Sequence, residues 1–276
     1  MKKSTFFAEK LDWMSRGYSA SPTPADDPDR AADRHAPLWE QLEAIVEQAR
    51  RGDFAGVPRV LDLYPAGDAL FRFTCCKVLG DAGTPACFER MLHEMRTEMD
   101  PEKSLDFLRA FHERGRLSDV PLIVDEYDKF HGFESANVLP MYLSDLLERE
   151  WGPVAERPGE DDLDSYEAMV LERHEALKKQ LGKDDVVVRH GAVFSVERLA
   201  RRMLERLAID HETAVFHYKA RRLFEANTGI DCSSFYKDGG FQPLHAAVLL
   251  ERFLASRDAA RYEDGVRYFF GHRIPD

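Results

Sequence analysis

The sequence predicts an all-α protein built as a HEAT-like helical repeat, an α-solenoid of antiparallel helix pairs. Three observations predict it. Apolar residues recur at spacings of three and four along most of the chain. Glycine and proline punctuate its first half in a repeated order. Strand-like alternation is confined to the short stretch Val186 to Phe194.

The elements follow in chain order. Phe6 to Met14 is a short amphipathic stretch, and Ser19 to Pro28 is a linker by composition, because its prolines block helix and it has almost nothing to bury. Residues 1–36 are therefore an N-terminal extension and linker, on which Phe6, Phe7 and Trp13 could form a small cap. From Pro37, Leu38, Leu42, Ile45, Val46 and Ala49 make one apolar stripe of a helix.

The punctuation comes next. Helices end at Gly52, Gly80 and Gly115, and Val57-Pro58, Thr84-Pro85 and Val120-Pro121 open their successors; Gly152-Pro153 is a looser fourth instance after Leu139 to Trp151. Glycine just past a helix end takes the left-handed conformation without a Cβ clash, and proline at a first helical position gives up a donor that had no partner. The glycines stand 28, 35 and 37 residues apart, room for two helices and two turns each. The unequal intervals favour degenerate HEAT-like repeats, and neither a tetratricopeptide nor an ankyrin signature is present.

The pattern breaks at the acidic, turn-rich Glu156 to Asp164, which joins repeats in 37–155 to a C-terminal helical region in 156–276. There the helices are Tyr166 to Leu181, Ser195 to Leu207 with Ser195 as its cap, Thr213 to Asn227 with a stop at Gly229, and Leu244 to Leu254. Asp231 or Ser233 caps a short turn, Gly239-Gly240 permits a tight reversal, and the four aromatics Tyr262, Tyr268, Phe269 and Phe270 seal the last core, the alternative being that they sit at an interface.

Chemistry is sparse. No nucleotide, hydrolase or zinc-protease motif occurs, and His174-Glu175 and His211-Glu212 lack the second histidine such a site needs. His93, His112 and His131 stand near helix ends, where histidine is a dipole partner or a surface residue. Cys75, Cys76, Cys87 and Cys232 make no C-x-x-C pair and read as reduced, buried thiols. No catalytic, cofactor or metal site is expected. The formal net charge of −12 disfavours direct nucleic-acid binding and favours a basic protein partner. No apolar run approaches the roughly 18 residues of a membrane span, and no signal-peptide core follows Lys2-Lys3, so a cytoplasmic protein is expected.

Three strings carry a resemblance: Phe224-Glu225-Ala226-Asn227-Thr228-Gly229-Ile230-Asp231-Cys232, then Phe241-Gln242-Pro243, then Gly265 to Pro275. They resemble bacterial HEAT-like immunity proteins encoded beside polymorphic toxins. The resemblance implies a stoichiometric inhibitor that binds and blocks a bacterial toxin. The candidate partner-binding residues are Glu160, Asp161, Asp162 and Asp164, on a loop free to present them. A HEAT-like scaffold for a host protein complex is the alternative; a helical-repeat DNA glycosylase is weaker, because it needs a basic concave face.

Overall fold

The structure is a computed structural model that describes residue 18 and residues 35–98, 100–159, 162–209, 215–237 and 240–275. The chain is mostly helical. Its helices are α1 (Leu38–Arg50), α2 (Val60–Leu63), α3 (Ala69–Ala82), α4 (Pro85–Glu98), α5 (Pro101–Arg114), α6 (Val120–Phe130), α7 (Leu139–Leu147), α8 (Leu163–Leu181), α9 (Val196–Ile209), α10 (Val215–Thr228) and α11 (Pro243–Ala255). Among the described residues the strands are three two-residue pairs: β1 (Val188–Arg189) with β2 (Ala192–Val193), β3 (Tyr236–Lys237) with β4 (Gly240–Phe241), and β5 (Tyr268–Phe269) with β6 (His272–Arg273).

Two compact units contain these elements. Unit 1 comprises residues 1–85 and 195–276, and unit 2 comprises residues 86–194. The division expected at residues 155 and 156 lies inside unit 2. Local composition marks a loop there, whereas the units are set by contacts distant in sequence. In unit 1, Arg267 donates to the carbonyls of Gly83 and Gly80 at 2.7 Å each. Its α10 packs on α3, and α9 packs on α10 and α11. In unit 2, α6 packs on α7 and α8, and α5 on α6 and α7.

Most of the punctuation holds locally. Gly52 and Gly115 follow their helices with φ of 87° and 73°, Gly229 ends α10 at 71°, and Pro121 lies in the first turn of α6. The first stripe is correct as well: Leu42, Ile45, Val46 and Ala49 are all buried. Gly80 is different. It lies within α3, which runs on to Ala82 and ends where the Gly83 N–H donates to Leu79 O at 2.8 Å. Its carbonyl serves Arg267 instead of ending a helix. Further on, α7 stops at Leu147 and leaves Trp151 in the following loop. Ser195 does cap α9, its hydroxyl accepting from the Arg198 N–H at 3.4 Å, and Asp231 accepts from the Ser233 N–H at 2.7 Å.

One device closes the helix ends. The segments 187–194, 235–242 and 267–274 are three hairpins with the same outer bond: Phe194 N–H to Val187 O at 2.8 Å, Gln242 N–H to Phe235 O at 2.8 Å, and Ile274 N–H to Arg267 O at 3.1 Å. The first and third turn through His190-Gly191 and Phe270-Gly271, all four at positive φ, as a two-residue hairpin loop demands. Each of these two tips donates two N–H groups to a helix end. In unit 2, His190 and Gly191 bond the Asp145 and Leu146 carbonyls of α7 at 2.7 and 3.1 Å. In unit 1, Phe270 and Gly271 bond the Ala226 and Asn227 carbonyls of α10 at 2.6 and 2.8 Å. The last carbonyls of a helix lack intrahelical partners, and the hairpins supply them.

The C-terminal aromatics do seal a core: Phe269 is fully buried and Tyr268 nearly so, while Phe270 is half-buried. The four cysteines are buried, and burial pushes the Cys232 thiol up. Within the expected extension, Tyr18 is buried in unit 1 at 3% exposure. The proposed cap residues Phe6, Phe7 and Trp13 lie outside the described residues.

Candidate functional site

The acidic loop belongs to unit 2. Of the four residues singled out there, Glu160 and Asp161 lie outside the described residues, and Asp162 and Asp164 are exposed. Asp162 immediately precedes α8 and Asp164 sits in its first turn, where carboxylates also favour the positive end of the helix dipole.

The loop is anchored on both sides. Glu148 is buried and accepts from the Ser144 hydroxyl at 2.8 Å and the Gly152 N–H at 3.2 Å. A Cβ at Gly152 would stand 2.5 Å from the Glu148 carboxylate, so a side chain there would displace that carboxylate. Two residues on, Val154 is fully buried, and its carbonyl accepts from the Tyr166 hydroxyl of α8 at 2.8 Å. Burial pushes the Tyr166 phenol well above its ordinary range, and its ring meets Tyr127 of α6 edge-on at 5.7 Å.

Between these anchors Trp151 is 75% exposed. Sequence reading placed it at a helix end and missed it. The available signal was a tryptophan between the charged pair Arg149-Glu150 and the breaker pair Gly152-Pro153, a setting that offers a side chain no core. An aromatic held on a fixed backbone and left in water is the residue type that dominates protein interfaces.

Like charge is crowded where α6 and α8 pack together. Asp125 and Asp128 of α6 and Asp164 of α8 are exposed. Burial first, and then the repulsion of Asp128, Asp164 and Asp125, raises the Glu167 carboxyl above its ordinary 4.5. Of the pair Asp125-Glu126, Asp125 faces water, whereas Glu126 is buried; Lys129 binds both, at 2.7 and 2.9 Å.

A second cluster in unit 2 has a different character. His112 is buried, lies flat on Tyr142 with ring centroids 4.0 Å apart, and shares a hydrogen bond with Asp145 at 3.1 Å. Arg189 of β1 donates to Asp145 at 3.2 Å and to the Glu113 carbonyl at 2.8 Å. The cluster fastens the first hairpin to the ends of α5 and α7. It corrects the reading of His112 as a simple dipole partner: the residue is in the last turn of α5, but its ring serves Asp145.

Among the described residues, no group of three or more His, Cys, Asp and Glu side chains is arranged to hold a metal ion. Among them too, no helix is long and apolar enough to cross a membrane. With the geometry in hand, comparison with known proteins adds no relative. No family model, curated protein or solved structure matches the chain.

Proposed function

We propose that this is a non-catalytic protein-binding protein of the cytoplasm, an immunity protein that neutralises a cognate bacterial toxin by binding and occluding it. The observation that carries the reading is Trp151, 75% exposed on an anchored loop and tied through Val154 and Tyr166 to an α8 that bears exposed acids. A central aromatic anchor with a charged rim is the anatomy of a protein interface.

Three further features support it. The net charge of −12 suits a basic partner. Burial of the Glu167 carboxyl, and then the repulsion of the carboxylates around it, costs stability at neutral pH, as binding surfaces commonly do. The C-terminal strings resemble toxin-linked immunity proteins. The finer architecture, a HEAT-like stack of antiparallel helix pairs, belongs to this reading and rests on the Gly–Pro punctuation. Neither membrane nor nucleic acid is part of it. A scaffold for a host complex would use the same surface and differs only in partner.

The test uses the product of the gene adjacent to the one encoding this chain. Growth arrest by that product, relieved by co-expression of this chain, is the expected result. Binding kinetics at two salt concentrations then locate the surface. Replacing Glu160, Asp161, Asp162 and Asp164 together by Gln or Asn should slow association at low salt, because rim charges act on encounter. Trp151→Ala should instead speed dissociation about 30-fold or more, the effect of losing a hot spot of about 2 kcal/mol. Unchanged kinetics in both variants would remove this loop from the interface, and turnover of a substrate by the protein alone would overturn the binding-only reading.

A further inference from the structure

The last turn of α7 is used from two directions. On one side the tip of the first hairpin closes it: the His190 and Gly191 N–H groups donate to the Asp145 and Leu146 carbonyls at 2.7 and 3.1 Å. The fit is close, because a Cβ on Gly191 would stand 2.9 Å from the Leu147 carbonyl oxygen and 3.5 Å from the Arg149 nitrogen. On the other side the same turn carries the pin of the Trp151 loop. Glu148 ends α7, its N–H donating to the Ser144 carbonyl at 2.8 Å. Its buried carboxylate accepts from the Ser144 hydroxyl and from the Gly152 N–H, and Arg173 of α8 lies 3.7 Å from it.

These contacts run in series from the hairpin to Trp151. The last carbonyls of a helix lack intrahelical partners, so a last turn without its cap frays. Fraying of Ser144 to Glu148 would carry the Glu148 carboxylate away from Gly152, the residue after Trp151. Trp151 has 75% of its surface in water, so its own packing does little to fix it. Its backbone is set by Glu148, and Glu148 is set by the helix end that the hairpin caps. The tip itself holds a costly shape: His190 and Gly191 have φ of 54° and 66°, and such a conformation is uncommon for a residue other than glycine.

We propose that the first hairpin is the positioning element of the Trp151 loop, with Gly191 as the positioning residue that lets the tip reach α7. The proposal rests on the reading of Trp151 as the binding anchor. An anchor whose backbone is fixed before encounter loses less freedom on binding. Gly191 acts through α7 and has no direct part in contact with a partner.

The experiment uses the full chain and no partner. Relaxation of ¹⁵N nuclei gives the order parameter of the Trp151 amide in the wild type, in Gly191→Ala and in Gly182→Ala. Gly182 is the control, left-handed like Gly191 but with nothing within 4 Å of an added Cβ. The amide should read about 0.85, a rigid backbone, in the wild type and in Gly182→Ala, and below about 0.6 in Gly191→Ala. An unchanged value in a folded Gly191→Ala chain overturns the proposal. An equal fall in Gly182→Ala also overturns it, since a general loss of stability then accounts for both. If Gly191→Ala does not fold, native-state hydrogen exchange on the wild type decides. The Gly152 amide should open within about tenfold of the His190 and Gly191 amides, as members of one cooperative unit do; a larger excess of opening at Gly152 overturns the proposal. Failure of the binding reading looks different: Trp151→Ala would leave the partner's dissociation unchanged while the order parameters still behave as stated.

Discussion

Replacing Gly191 by alanine tests how the first hairpin is seated on α7, and Gly182→Ala supplies a matched control. Both glycines are left-handed, with φ of 66° and 70°. Either substitution forces an L-residue into that region, at about 1–2 kcal/mol, and either removes the same flexibility from the unfolded chain. The surroundings differ. At Gly182 a Cβ meets nothing within 4 Å. At Gly191 it would stand 2.9 Å from the Leu147 carbonyl oxygen and 3.5 Å from the Arg149 nitrogen. The obstacle is backbone, so the hairpin tip must withdraw, and the Gly191 N–H to Leu146 O bond of 3.1 Å goes with it. Losing that bond leaves a helix-end carbonyl unpaired, for about 1 kcal/mol more, with a similar sum for lost packing. Gly191→Ala should therefore cost about 3–4 kcal/mol and Gly182→Ala about 1–2 kcal/mol. Urea denaturation followed by far-UV circular dichroism measures both. Equal losses would show that the tip does not bear on α7.

Arg189→Leu removes a donor from the Glu113 carbonyl and one from the Asp145 carboxylate, which keeps His112, and should cost about 1.5–3 kcal/mol in the same assay; a loss under 1 kcal/mol would mean that Asp145 is not held by Arg189. Phe269→Ala should cost about 3–5 kcal/mol, and Phe270→Ala clearly less, since Phe269 is fully buried and Phe270 only in part; the reverse order in melting temperature would contradict the sealing role. His174 is held below its ordinary 6.5 first by burial and then by Lys178 against the opposing Glu175. A group whose folded pKa is depressed stabilises above its unfolded pKa and loses that contribution as pH falls towards the folded value. Stability should drop below about pH 6.5 through this group, and His174→Gln should flatten that part of the pH profile. Glu167 has the opposite sign: its raised pKa means that stability is present below 4.5 and lost as pH rises. Glu167→Gln should therefore raise the melting temperature at neutral pH, and no rise would remove the crowding from the account of this surface.

Helix content, most caps and the apolar stripes were legible in the sequence because they obey rules that act within a few residues. Leu42, Ile45, Val46 and Ala49 share a face by helical geometry alone, and Gly115 and Gly229 end helices because glycine takes positive φ cheaply. The acids Asp162 and Asp164 were readable as exposed because nothing in their neighbourhood could bury them. Tertiary structure decided everything that depends on who stands opposite. Gly80 has the composition of a stop, yet it continues α3, because its carbonyl is wanted by Arg267, 187 residues away. Trp151 reads as a helix residue until α7 stops short and leaves it in water. Tyr18 stands in a stretch with little to bury, but two buried carboxylates and two phenylalanines from the far end of the chain await it. Turning a local propensity into an element takes a few neighbouring residues. Satisfying a buried charge or a helix-end carbonyl takes a donor from anywhere in the chain, and its position along the sequence carries no record of that partner.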